Sequence, residues 1–112
     1  MRDKDKRTLQ KIVSYIDDAR QYKQGLSFDA FLLDNKTTSA CAFVVLQIGE
    51  LAKELSEDVQ NLNLSIPWNG IRGMRNRLVH NYENVDMTIL WDTVETSLPE
   101  LKNQLVEILE QI

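Results

Sequence analysis

The stretch Ala40-Cys-Ala-Phe-Val-Val-Leu-Gln-Ile48 decides the fold class. Read alone it supports two assignments. Phe43 to Ile48, with the β-branched pair Val44 and Val45, is an apolar run of strand length. The same residues are apolar nearly all round, as a deeply buried helix is. The residues just beyond separate the two. Ile48, Leu51, Ala52 and Leu55 continue the pattern at steps of three and four, which is the helical period. One long helix from near Thr37 to about Leu62 is therefore expected, and it should be the most buried element.

Working outward, the flanking segments read as helix too. Leu9, Ile12, Val13, Ile16 and Ala19 form an amphipathic stripe from Thr8 to about Lys23. Gly25 stands where a helix C-terminus favours glycine, and Ser27 is placed to cap a short turn carrying Phe28, Phe31 and Leu32. Pro67 suits the first turn of a helix over about Trp68 to Val79, because its missing N–H has no partner there anyway. Asn81 to Val85 reads as a turn, and Asp86 as the cap of the last helix. In that helix Met87, Trp91, Val94, Leu98, Leu101, Leu105, Ile108 and Ile112 alternate steps of four and three. Pro99 lies within it, so a kink or break is expected near Ser97. The seam suits a bundle core or a dimer interface equally. The fold expected is all-α, a bundle of four to five helices forming a single domain over residues 1–112.

Composition narrows the class. Hydrophobic residues make up 43% and charged residues 27%, ordinary proportions for a globular chain of 112 residues. Cys41 is the single cysteine, so no internal disulfide is available, which fits a reducing compartment. One His and one Cys give no cluster for a zinc site, and no metal or cofactor is expected. The N-terminal Met-Arg-Asp-Lys-Asp-Lys-Arg has no apolar stretch behind it, and Thr37 to Gly49 is too short and too polar at its start to span a bilayer. A cytoplasmic location is the resulting expectation. A net charge of −4 argues against a broad basic surface that coats nucleic acid, yet Arg72, Arg75 and Arg77 cluster locally.

That cluster belongs to Gly70-Ile-Arg-Gly-Met-Arg-Asn-Arg-Leu-Val-His-Asn-Tyr82. On a helical wheel of about 100° per residue, Ile71, Met74 and Leu78 share one face, with Tyr82 alongside. Arg72, Arg75, Asn76 and His80 spread over the opposite side. Asn76 and His80 are four apart, so the amide is in position to set the imidazole's tautomer. Arg75 and His80, separated by about 7.5 Å along a helix axis, can meet at a shared anion. Cleavage of an RNA phosphodiester suits these types. An imidazole near its ordinary pKa takes the 2′-hydroxyl proton or protonates the leaving oxygen, while a guanidinium grips the phosphate and offsets the developing charge. Spacing alone leaves a plainer alternative open, an exposed helix-end histidine favoured by the helix dipole, with Tyr82 simply a core residue.

Several further stretches make the sequence resemble the HepT-like branch of the HEPN superfamily. They are Tyr22-Lys-Gln-Gly25 with the Phe31 region, Gln47-Ile-Gly-Glu-Leu-Ala52, Ile66-Pro-Trp-Asn-Gly-Ile-Arg-Gly-Met-Arg-Asn-Arg-Leu-Val-His-Asn-Tyr82, Trp91, and Leu98-Pro-Glu-Leu101. The resemblance implies a helical toxin paired with a minimal nucleotidyltransferase antitoxin. It implies that Arg75 and His80 are the active-site pair of a metal-independent endoribonuclease acting as a homodimer on RNA. Asn76 matches the polar residue that follows the arginine, Arg72 is a supporting residue, and Tyr82 matches the tyrosine that the partner modifies with AMP. Glu50 matches a family carboxylate without an assigned role, for which a helix-surface or interface salt bridge is the favoured reading. Two other functions stay open: a catalytically inactive nucleotide- or RNA-binding module, and a platform subunit of the nucleotidyltransferase.

Overall fold

Capping side chains set where the helices begin. The computed structural model describes residues 1–81 and 84–111, with His80 and Asn81 described by backbone alone. In it α1 spans Asp3–Lys23, starting more than a turn before the apolar stripe does. Asp3 and Asp5 occupy its first turn, where the helix dipole favours carboxylates. Asp5 is buried and reaches across the fold to Ser56, accepting its backbone N–H at 3.1 Å and its hydroxyl at 2.7 Å. Burial raises the Asp5 pKa, but the Ser56 hydrogen bonds and the charges of Arg2 and Lys4 outweigh it and leave the carboxyl below its ordinary value. Gly25, at φ +80°, supplies the left-handed residue that ends the α1 region. Ser27 then caps α2, Phe28–Leu32, by accepting the Ala30 N–H.

The helix expected from Thr37 to Leu62 divides in two. Asp34 caps α3, Asn35–Lys53, by accepting the Thr37 N–H at 3.1 Å. Ser56, held by Asp5, starts α4, Glu57–Gln60. A contact with a residue far away in sequence thus overrides the local apolar period. The helix expected from Trp68 to Val79 is also interrupted. It forms α5, Trp68–Arg72, and α6, Met74–Leu78, with Gly73 between them at φ −93°, ψ 8°. Glycine is a poor helix former, and here its N–H bonds Asn69 O while its carbonyl accepts from Asn76.

Beyond Leu78 the chain extends. Val79, at φ −105° and ψ 111°, opens β1, Val79–Asn81, which pairs antiparallel with β2, Asn84–Val85. Val79 stands opposite Val85, and the Asp86 N–H donates to Leu78 O at 2.8 Å across the base. Of the expected turn over Asn81 to Val85, Asn81 and Asn84–Val85 are thus paired strand residues, and Tyr82 and Glu83 lie outside the described residues. Asp86 caps α7, Met87–Asp92, as the sequence indicates. The expected break before Pro99 is a π-helical stretch, Thr93–Ser97, leading into α8, Leu98–Glu110, with Pro99 in its first turn.

In the assembled bundle α1 packs along α3 and α8, and α3 also meets α5, α6 and α7. Leu9, Ile12, Ile16, Phe31, Ile48, Leu90, Leu98 and Leu105 form its closed centre. Val94, Leu98, Leu101, Leu105 and Ile108 are all buried inside one chain. These five positions of the C-terminal seam are thus core within the monomer, whereas Met87 and Trp91 are only partly buried and Ile112 lies outside the described residues. Trp91 ties three elements together. Its ring stands edge-on to Phe28 and Phe31, with centroids 5.5 and 5.3 Å away, and the Lys23 ammonium lies 4.1 Å from the ring centre. Lys23 also pairs with Glu95. Among the described residues no helix is long and apolar enough to cross a membrane.

Candidate active site

The arginine-bearing segment is seated by a close approach at Gly49. A Cβ built there would lie 3.2 Å from the Ile71 carbonyl oxygen and 3.8 Å from Met74 Cβ. Without a side chain at this position, α3 can lie against the turn joining α5 to α6. Trp68 steadies the other end, donating its indole N–H to Gln60 O at 3.1 Å. Gly49→Ala is expected to destabilise the fold by about 1–3 kcal/mol, because the methyl must push a backbone carbonyl aside. Denaturant titration checks this; a variant as stable as the parent would show that the contact relaxes without cost.

The arginines differ in their surroundings. Arg72 is half-buried and committed, donating to Gln60 Oε1 at 2.7 Å and to the Asn69 side chain. Its guanidinium thus has local acceptors, consistent with a positioning role rather than a free phosphate clamp. Arg75 and Arg77 are exposed, and among the described residues neither has an ion-pair partner. They flank the buried face made by Met74 and Leu78, Arg75 on one side and Arg77 on the other. Asn76 is exposed between them.

His80 is displaced from its expected setting. Helix α6 ends at Leu78, and the His80 backbone lies in β1. Asn76 and His80 therefore do not share a helix face, and the four-residue argument for amide control of the imidazole does not hold. Between Arg75 and His80 the chain passes from about 1.5 Å per residue in the helix to about 3.3 Å in the strand. Val79 weakens the helix here because its β-branched side chain is stiff at χ1, and Asn81 and Asn84 favour turns over a further helical turn. Tyr82 lies outside the described residues. Glu50 is exposed and pairs with Lys53 at 3.0 Å, the surface salt bridge favoured from the sequence.

Two further groups bear on chemistry. The Cys41 thiol is buried, and burial pushes its pKa up to about 11, so it is a poor nucleophile at neutral pH. Among the described residues no group of three or more His, Cys, Asp or Glu side chains is gathered to hold a metal. Sequence reasoning passed over a cleft of about 280 Å³ between α5–α6 and α8, lined in part by Arg77, Glu100 and Gln104. Glu100 and Gln104, four apart on α8, had no pattern linking them to the distant arginines.

The family model described as "Ribonuclease HepT-like" matches residues 12–108, a span that holds both Arg75 and His80. A protein of Caldanaerobacter subterraneus subsp. tengcongensis named "Putative RNase" is 36% identical over 88 residues, covering 79% of this chain and 79% of that one. The "Probable ribonuclease HepT" of Thermococcus cleftensis is 34% identical over 96 residues, 86% of this chain and 87% of its own. A Methanocaldococcus jannaschii protein, also named "Putative RNase", is 34% identical over 104 residues, 93% of this chain and 86% of its own. No solved structure matches the chain.

Proposed function

Because the chain belongs to the HepT-like ribonuclease family, we propose that it is a HEPN-type endoribonuclease that cuts RNA with Arg75 and His80. The family match over residues 12–108 carries this reading, since that span includes both residues, the helix that bears Arg75 and the strand that bears His80. Arg75, exposed and without an ion-pair partner among the described residues, supports it as a guanidinium placed to take a phosphate.

The reaction is an internal transesterification. The 2′-oxygen bonds to the neighbouring phosphorus as the bond from phosphorus to the 5′-oxygen breaks. His80 as base accepts the 2′-hydroxyl proton, and an acid returns one to the 5′-oxygen. The products carry a 2′,3′-cyclic phosphate and a 5′-hydroxyl, and no water or metal enters the bond-breaking step. Arg75 holds the non-bridging oxygens and offsets the charge that builds on them.

The chain has one histidine, whereas this route uses a base and an acid. A homodimer that brings two His80 rings to one cleft supplies both. It also doubles the local positive charge on a protein whose net charge is −4. In this reading the chain is the toxin of a toxin–antitoxin pair in the cytoplasm. The antitoxin, a minimal nucleotidyltransferase, adds AMP to Tyr82: the phenolic oxygen attacks the α-phosphorus of ATP and pyrophosphate leaves. The added phosphate brings bulk and negative charge to the neighbourhood of His80 and competes with RNA for Arg75.

The test is incubation of the purified chain with end-labelled RNA in excess chelator. Cleavage to fragments ending in cyclic phosphate is expected. Binding without products would instead support a non-catalytic RNA-binding module.

A further inference from the structure

The cleft between α5–α6 and α8 has the features of a ligand site. At about 280 Å³ it lies near the small end of ligand clefts, commonly about 300–1,000 Å³, and suits one ring system rather than a whole dinucleotide. Pro67, Met74 and Leu101 give it apolar walls. Arg77 and Glu100 line the same space, yet among the described residues neither has a side-chain partner, and they do not close on each other. Gln104, one turn beyond Glu100, adds an amide.

Opposite charges that share a cleft without pairing are complementary to a ligand with donors on one edge and acceptors on another. Among the four RNA bases, guanine carries two adjacent donors, N1–H and the 2-amino group, which suit a carboxylate. It also carries two adjacent acceptors, O6 and N7, which suit a guanidinium. Adenine, cytosine and uracil each lack one of these pairs. Arg77 stands on the flank of α6 opposite Arg75, so a strand crossing this helix would pass from one site to the other over about 10 Å.

We propose that this cleft is a guanine-binding subsite, with Glu100 and Arg77 reading a base at a constant short offset from the bond that Arg75 and His80 cleave. The proposal rests on the ribonuclease reading for its connection to cleavage. Glu100 and Arg77 determine specificity here and take no part in the bond-breaking step.

Two measurements test it. Cleavage sites on an RNA of mixed sequence are mapped for the full chain and for Glu100→Gln, an isosteric change at an exposed position. Wild-type cuts are expected to gather at one offset from guanine, and Glu100→Gln is expected to reduce the preference for guanine over adenine there by about tenfold. Cuts without base preference, or a preference that Glu100→Gln leaves intact, would overturn the proposal while ribonuclease activity stands. Equilibrium dialysis with guanosine and adenosine monophosphates decides the case if no RNA is cut, an outcome that counts against the ribonuclease reading alone. Selective retention of the guanine nucleotide that is lost in Glu100→Gln then supports the subsite, and equal retention of both nucleotides overturns it.

Discussion

RNA turnover by the His80→Ala protein is expected to fall about 10²–10⁴-fold, and that of Arg75→Ala about 10²–10³-fold. The first loss removes the group that accepts the attacking hydroxyl's proton. The second removes a fixed positive charge from the place where phosphoryl charge develops. The Arg75 change should not unfold the protein, since Arg75 is exposed with no ion-pair partner among the described residues. Steady-state kcat/KM on one labelled RNA, with Tm measured alongside, checks both points. The double variant should be little worse than the weaker single one, because the two groups act on one transition state and their losses do not add. Rates within threefold of the parent for both single variants would remove the Arg75–His80 pair from the mechanism.

Trp91→Ala is expected to cost about 3 kcal/mol of stability and lower Tm by roughly 10 °C or more. Trp91 is only half-buried, yet it joins α7 to α1 and α2 through two edge-to-face ring contacts and the Lys23 ammonium. Truncation leaves a gap against Phe28 and Phe31 and removes the aromatic surface over which Lys23 lies. Trp91→Phe keeps a ring there and should recover more than half of the loss. Thermal denaturation of the two variants gives the comparison. A cost below about 1 kcal/mol for the alanine would mean that α2 repacks onto α7 unaided.

The parts legible in the sequence are those governed by neighbours along the chain. Gly25, Ser27 and Asp86 act at their own helix ends, so their residue types suffice to place them. The apolar steps through Val94, Leu98, Leu101 and Leu105 likewise identify a buried face without a partner being named. What escaped reading depends on distant contacts. The end of α3 and the start of α4 follow from Asp5 holding Ser56, a contact between the first helix and the middle of the chain. At the site, the arginines were visible but their differences were not. Gln60 and Asn69 engage Arg72, while Arg75 and Arg77 remain exposed without ion-pair partners among the described residues. The helical wheel carried through to His80 because apolar spacing does not report the extended backbone that begins at Val79.

The wide π turn at Thr93–Ser97 acts as a phase corrector between the two halves of the C-terminal rod. Leu90, Val94 and Leu98 are buried at steps of four. In an α-helix each such step overshoots a full turn by about 40°, so the apolar stripe would rotate away from the core. The wider winding slows that rotation, and α8 begins with Leu98 and Leu101 still facing inward. One end of the rod is joined through Asp86 to β2, the partner of the strand that carries His80, and the other offers Glu100 to the cleft beside Arg77. The angle between these two surfaces is therefore set by winding rather than by a joint. A one-residue insertion or deletion in this turn would rotate α8 by about 100° and turn its apolar stripe away from the core.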